Sequence, residues 1–153
     1  MRYIHFGLDL FREENPPADA RAVRILEKCL ALLVDVNESY LDLHPECPLM
    51  YLSGIRYEQE RPREELFKSI PVILQDPRHI DCEDLACWRV AELRRRFNEP
   101  GAKVFYYWRE APGMKLFHIQ VLRANGHVED PSVLLGMGKS PQSLRSMPGR
   151  VLE

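Results

Sequence analysis

The chain has 153 residues, of which 45% are hydrophobic and 29% charged, enough apolar material for one globular domain with its own core. Its formal net charge of -2 gives no overall basic footprint for nucleic acid or an anionic membrane. The first ten residues hold His5 and Asp9 and no apolar h-region, and no apolar run approaches membrane-spanning length. The expectation is a protein kept in the cytoplasm unless it is carried within a larger assembly.

In chain order, Ile4, Phe6, Leu8 and Leu10 alternate with polar or small residues, which predicts a short strand. Pro16 and Pro17 break the chain, and Asp19 can cap a helix over Ala20 to Leu41 whose stripe is Val23, Leu26, Leu30, Leu33 and Val36, with Cys29 beside it. The stretch 44–77 carries five prolines, at 45, 48, 62, 71 and 77, and reads as irregular, because each removes a backbone donor and restricts the residue before it. A connection of that length is often functional, and this one leads directly to Asp81.

Asp81 is a good N-cap, Glu83 and Asp84 place negative charge in a first turn, and Arg94, Arg95 and Arg96 place positive charge in a last one. A helix is therefore predicted to start at Cys82. Ala86, Val90, Leu93 and Phe97 recur at helical steps, and one step back along the series is Cys82, so the thiol faces the protein. A cysteine there sits among unpaired backbone N–H groups that favour thiolate and can hold an oxyanion. The alternative is a small core residue, and Asp81 and Asp84 oppose thiolate formation.

Pro100-Gly101 is expected to end this helix. Lys103 to Arg109 and Lys115 to Arg123 are β-branched or aromatic runs separated by Pro112-Gly113, an antiparallel pair, with both faces of Leu116 to Leu122 apolar and therefore covered. Asn125-Gly126 turns the chain into a third strand, His127 to Asp130. The chain thus divides into one domain over 1–135 and a flexible tail over 136–153, where no periodicity remains. Gly138-Lys139-Ser140 is not a phosphate-binding loop, because Val133 occupies the first glycine position and Pro141 interrupts the helix that would follow.

The four cysteines, 29, 47, 82 and 87, form no CxxC pair, and His79 with Cys82 and Cys87 has the wrong spacing for common zinc motifs. Neither a disulfide framework nor a metal site is expected. Trp88, Tyr106, Tyr107 and Trp108 read as core and rim, and no cofactor is called for.

A thiol nucleophile needs a base, and the base a partner. His118, mid-strand between Phe117 and Ile119, and Asp130 are the candidates, subject to register. A two-residue turn at Asn125-Gly126 would pair Val121 with Asp130 and put Asp130 and His118 on opposite faces. A three-residue turn with Gly126 left-handed would pair Gln120 with Asp130 and make His118 its diagonal neighbour. His127 lies three residues from Asp130, on the other face.

Asp81-Cys82-Glu83-Asp84-Leu85-Ala86, a strand histidine at His118 and then Asp130-Pro131-Ser132 resemble the transglutaminase-like cysteine peptidase superfamily. With Tyr51-Leu52-Ser53-Gly54-Ile55-Arg56-Tyr57 ahead and Leu135-Gly136-Met137 behind, the stretch from Tyr51 to Met137 is similar to the small members encoded in bacteriophage and prophage genomes. Many relatives have glycine where this chain has Ile80, so the loop feeding the cysteine is expected to be shaped differently.

The resemblance implies an α+β fold with a papain/transglutaminase-like core, the Cys-bearing helix packed on an antiparallel sheet. It also implies Cys82 as nucleophile, His118 as base and acid, and Asp130 as orienter. The Cys82 N–H is then the first oxyanion donor, with Gln75, Tyr57 and Gln59 as candidates for a second. The expected activity is hydrolysis of an amide or isopeptide bond in a protein or peptide through an acyl-enzyme, with transfer to an amine as the transglutaminase alternative. The other expectation is a phage structural or adaptor protein, part of the particle, that keeps the fold with little activity. Neither nucleic acid nor membrane is an expected partner.

Overall fold

The computed structural model describes residues 20–60, 66–111, 114–138 and 149–152. The strand expected at Ile4 to Leu10, the Asp19 cap, the Trp108 side chain, the Pro112-Gly113 turn and the tail over 139–148 lie outside that description. The architecture is α+β, with helices α1 (Ala20–Leu43), α2 (Ile70–Gln75) and α3 (Cys82–Arg96) against a four-stranded antiparallel sheet. Its strands are β1 (Lys103–Ala111), β2 (Met114–Leu122), β3 (Val128–Glu129) and β4 (Arg150–Val151), in spatial order β3-β2-β1-β4. Among the described residues, no helix is long and apolar enough to cross a membrane.

α1 buries Val23, Leu30, Leu33, Val34 and Leu41, but Val36 is 42% exposed and Asn37 is fully buried in its stead. A long-range hydrogen bond explains the exchange. The Asn37 side-chain oxygen accepts the N–H of Ile70 at 2.9 Å, satisfying an orphan donor of the first turn of α2 that Ser69 does not cap. α2 itself interrupts the stretch expected to be irregular. Pro71 sits in its first turn, where a missing N–H costs nothing, and Ile70 and Ile73 are buried.

α3 starts at Cys82 and is buried on every side through Leu93. Cys82, Ala86, Cys87, Val90 and Leu93 pack with α1 and with Val104, Tyr106, Ile119 and Val121 of the sheet. The opposite face, Leu85, Trp88 and Ala91, packs with Leu41, Met50, Ile55, Ile70, Ile73 and Ile80. The expected stripe was only half of the helix's buried surface. Phe97, the C-cap, is 47% exposed, and the helix ends at Arg96, just ahead of Asn98, whose φ is +52°, and short of Pro100. Arg94 and Arg95 pair with Glu38 and Asp42 of α1, as cations near a helix C-terminus should.

In the sheet, β1 and β2 pair from Lys103↔Leu122 to Ala111↔Met114. β2 pairs with β3 as Val121↔Glu129 and Leu122↔Val128, the register of a three-residue turn. Arg123 N–H donates to the His127 carbonyl at 2.8 Å, and Gly126 has φ +84°, the left-handed conformation that glycine adopts freely. On the second face of the sheet Tyr107, His118 and Gln120 are buried, while Phe105 and Leu122 keep partial exposure. Residues 150–151, part of the stretch expected to be a tail, form β4 on β1, and Leu152 packs against the core. Two paired residues carry too little periodicity to show in sequence.

Candidate active site

Three distant stretches meet ahead of α3. Tyr57 N–H donates to the Leu135 carbonyl at 3.0 Å and Glu58 N–H to the Ile80 carbonyl at 2.9 Å, which fastens the segment after Met50–Leu52 to both the α3 entrance and the turn after Asp130. The loop into Asp81 reverses at His79, φ +51°, whose N–H donates to Glu58 at 2.8 Å. Ile80 is fully buried beside it. The left-handed residue thus stands one place ahead of Ile80.

Asp81 caps α3 from extended backbone, and its Oδ1 accepts the Cys82 N–H at 2.7 Å. Its other oxygen accepts the Glu60 N–H at 3.4 Å. This corrects the expected first oxyanion donor: the Cys82 N–H is taken by the Asp81 carboxylate. Asp84, in the first turn of α3, accepts the Lys68 N–H at 2.6 Å.

The Cys82 thiol reaches the edge of β2. Val121 and Arg123 turn their backbone groups toward β3, and Ile119, two residues back, turns its N–H to the same side. There the chain has left the ladder at Asp130-Pro131, and the Ile119 N–H points at the Cys82 sulfur instead. The thiol donates to Glu83 Oε2 at 3.5 Å. Burial pushes the thiol well above its usual range, the charges of Glu83 and Asp81 push it further, and the Ile119 N–H works against them. In this state Cys82 is a protonated thiol.

His118, the residue before Ile119, projects onto the face that carries Gln120 and Tyr107. Its Nε2 lies 2.8 Å from Asp130 Oδ2, which also accepts Gln120 Nε2 at 2.8 Å. The Asp130 Oδ1 accepts the Val133 N–H at 3.3 Å, and the Tyr107 ring meets the imidazole edge-on at 5.5 Å. Burial opposes ionisation of Asp130, but the hydrogen bond and charge of His118 outweigh it and hold the carboxyl below its usual value. An ionised Asp130 makes Nε2 the donor, so Nδ1 is the basic nitrogen.

The structure therefore brings His118 and Asp130 together and sets Cys82 beside the same stretch of β2. Among the described residues no hydrogen bond joins Cys82 to His118; the thiol is turned to Glu83. His127 is exposed on the turn. In the sequence Glu83 reads only as a first-turn charge and Gln120 only as the register partner of Asp130; Glu129, beside Asp130, does not turn to His118. Glu129 instead bonds to Arg89, Tyr51 and Arg123.

The carboxyls of Glu60, Glu83 and Asp84 are all buried, with oxygen atoms within 4.8 Å of one another, and are the residues that could hold a hard cation. Protons serve the same end. Burial, and then the charge of Glu60, push Asp84 well above its usual value, while the Lys68 N–H works the other way. The folded state thus binds a proton that an unfolded Asp releases near about pH 4, and stability should fall as pH rises above that point. Urea midpoints are expected to decrease between about pH 5 and 8, and Asp84→Asn to flatten the decrease. Asp130, shifted the other way, loses its contribution only as pH falls below about 4.

No family model matches the chain, and no curated protein or solved structure does.

Proposed function

We propose that the protein is a transglutaminase-like thiol hydrolase that cleaves an amide or isopeptide bond in a protein or peptide, with Cys82 as nucleophile, His118 as base and acid, and Asp130 as orienter. The observation that carries this reading is the buried His118–Asp130 pair, 2.8 Å apart, on the strand whose next N–H points at the thiol that begins α3. On substrate binding the thiol leaves Glu83 and gives its proton to His118 Nδ1. The sulfur attacks the carbonyl carbon, and the tetrahedral adduct collapses as the leaving amine takes the proton from His118. Water, activated by the same imidazole, then attacks the thioester and releases the acid. An amine in place of water would give cross-linking, and the partition is set by which acceptor reaches the thioester. The papain/transglutaminase-like core, and work in the cytoplasm or in a phage particle, belong to the same proposal.

A protonated, buried thiol bonded to Glu83 favours a second reading, a phage structural or adaptor protein that keeps the site without turnover. Iodoacetamide separates the two. At about pH 6 the hydrolase reading expects Cys82 to be labelled first, as read by peptide mass mapping. Exposure alone would put the half-buried Cys29 first, and that order would sink the enzyme. Cys82→Ala should remove the fast site and any hydrolysis with the fold intact, while Cys87→Ala leaves both.

A further inference from the structure

We infer that Glu129 is a positioning residue: its buried ion pair with Arg89 of α3 fixes the strand end that presents Asp130 to His118. The inference rests on reading Cys82, His118 and Asp130 as the triad of a thiol hydrolase.

β3 is only two residues long, and Asp130 follows it directly. Two ladder pairs are a weak hold on a chain that must keep a carboxylate within hydrogen-bonding distance of an imidazole. The second hold comes from the other face of the strand. Successive residues point to opposite sides, so when Asp130 faces His118 and Gln120, Glu129 faces α3. There Glu129 Oε1 accepts Arg89 Nε at 2.7 Å and the Tyr51 hydroxyl at 2.6 Å, and Oε2 accepts Arg123 Nη1 at 2.8 Å. Arg89 is itself fixed: Nη1 donates to Glu92 Oε2 at 2.6 Å, and its guanidinium lies over Tyr51 at 5.0 Å and Phe97 at 5.3 Å. Glu92 in turn accepts the Met50 N–H at 2.8 Å.

The side chains of Arg89, Glu92 and Glu129 are 11%, 1% and 9% exposed, so the pairing is desolvated and directional and is not a screened surface contact. Truncating one partner leaves the other buried and uncompensated, and the two-residue strand is then the part of the structure that can give. A displacement of β3 moves Asp130 first, because no residue separates it from Glu129.

The test compares Glu129→Gln with Glu92→Gln in the full chain. Both remove one carboxylate from Arg89, but only Glu129 is on β3. The readouts are the His118 tautomer, from long-range proton-nitrogen NMR above the imidazole titration range, and the iodoacetamide rate at Cys82. Glu129→Gln should shift His118 from Nε2–H toward a tautomer mixture and slow Cys82 labelling about tenfold or more, a modest part of what general-base positioning supplies. Glu92→Gln should lower the thermal midpoint and leave both readouts near wild type. An unchanged tautomer in Glu129→Gln, or equal disturbance in Glu92→Gln, would make the network structural only and overturn the inference. If Glu129→Gln does not fold, Tyr51→Phe removes one bond to the same oxygen, and a tautomer change in the same direction is required. Failure of the hydrolase reading is seen separately, as loss of Cys82 selectivity in the wild-type protein.

Discussion

Trp88→Ala is expected to cost about 3–5 kcal/mol, the upper range for a buried aromatic. Trp88 is fully buried and packs in the cluster that holds Met50, Ile70 and Ile73 against α3. Domains of this kind are stable by about 5–15 kcal/mol in all, so the variant should keep little of its stability. Its indole N–H has no partner among the described residues. Trp88→Phe therefore gives up area and no hydrogen bond, and should cost much less than Trp88→Ala. Denaturant midpoints decide the point, and a Trp88→Ala cost below about 1 kcal/mol would mean that the second face of α3 is not the core described here.

His118→Ala is expected to slow iodoacetamide labelling of Cys82 near about pH 6–7 by roughly 100-fold or more, the lower end of what a positioned base contributes. The thiol's own environment mostly opposes ionisation: burial, Glu83 and Asp81 favour the protonated form, and the Ile119 N–H works against them. Whatever reactivity Cys82 has must come through the imidazole. Asp130→Asn should act in the same direction and more weakly, because the amide keeps an oxygen that can still accept from His118 Nε2. The rate at Cys29 serves as the internal reference, and a parallel fall there would signal a change in the reagent or the fold.

What the sequence made legible was local. Asp81 followed by Glu83 and Asp84 marks the start of α3 because caps and dipoles act within one turn, and Asn125-Gly126 marks the turn whose left-handed glycine sets the register of β3. The misses share a cause. Asn37 displaces Val36 from the α1 core because it caps a helix over thirty residues away, and Glu83 accepts from the buried thiol beside it. Glu129 is committed to Arg89 across the fold. The second buried face of α3 went unread because a helix buried all round has no amphipathic stripe, and the stop ahead of Asn98 because a left-handed residue other than glycine leaves a weak local signal. Periodicity reports which way a residue points, and it does not report which distant group meets it.

The measurement closest to the central claim, that Cys82 works through His118, is the pH dependence of the iodoacetamide rate at Cys82 in the intact protein. The rate is expected to be substantial already in mildly acidic solution and to level off below the range where free thiols ionise, about pH 8.5. A rate that stays negligible until above about pH 8.5 and then climbs as an isolated buried thiol would contradict it.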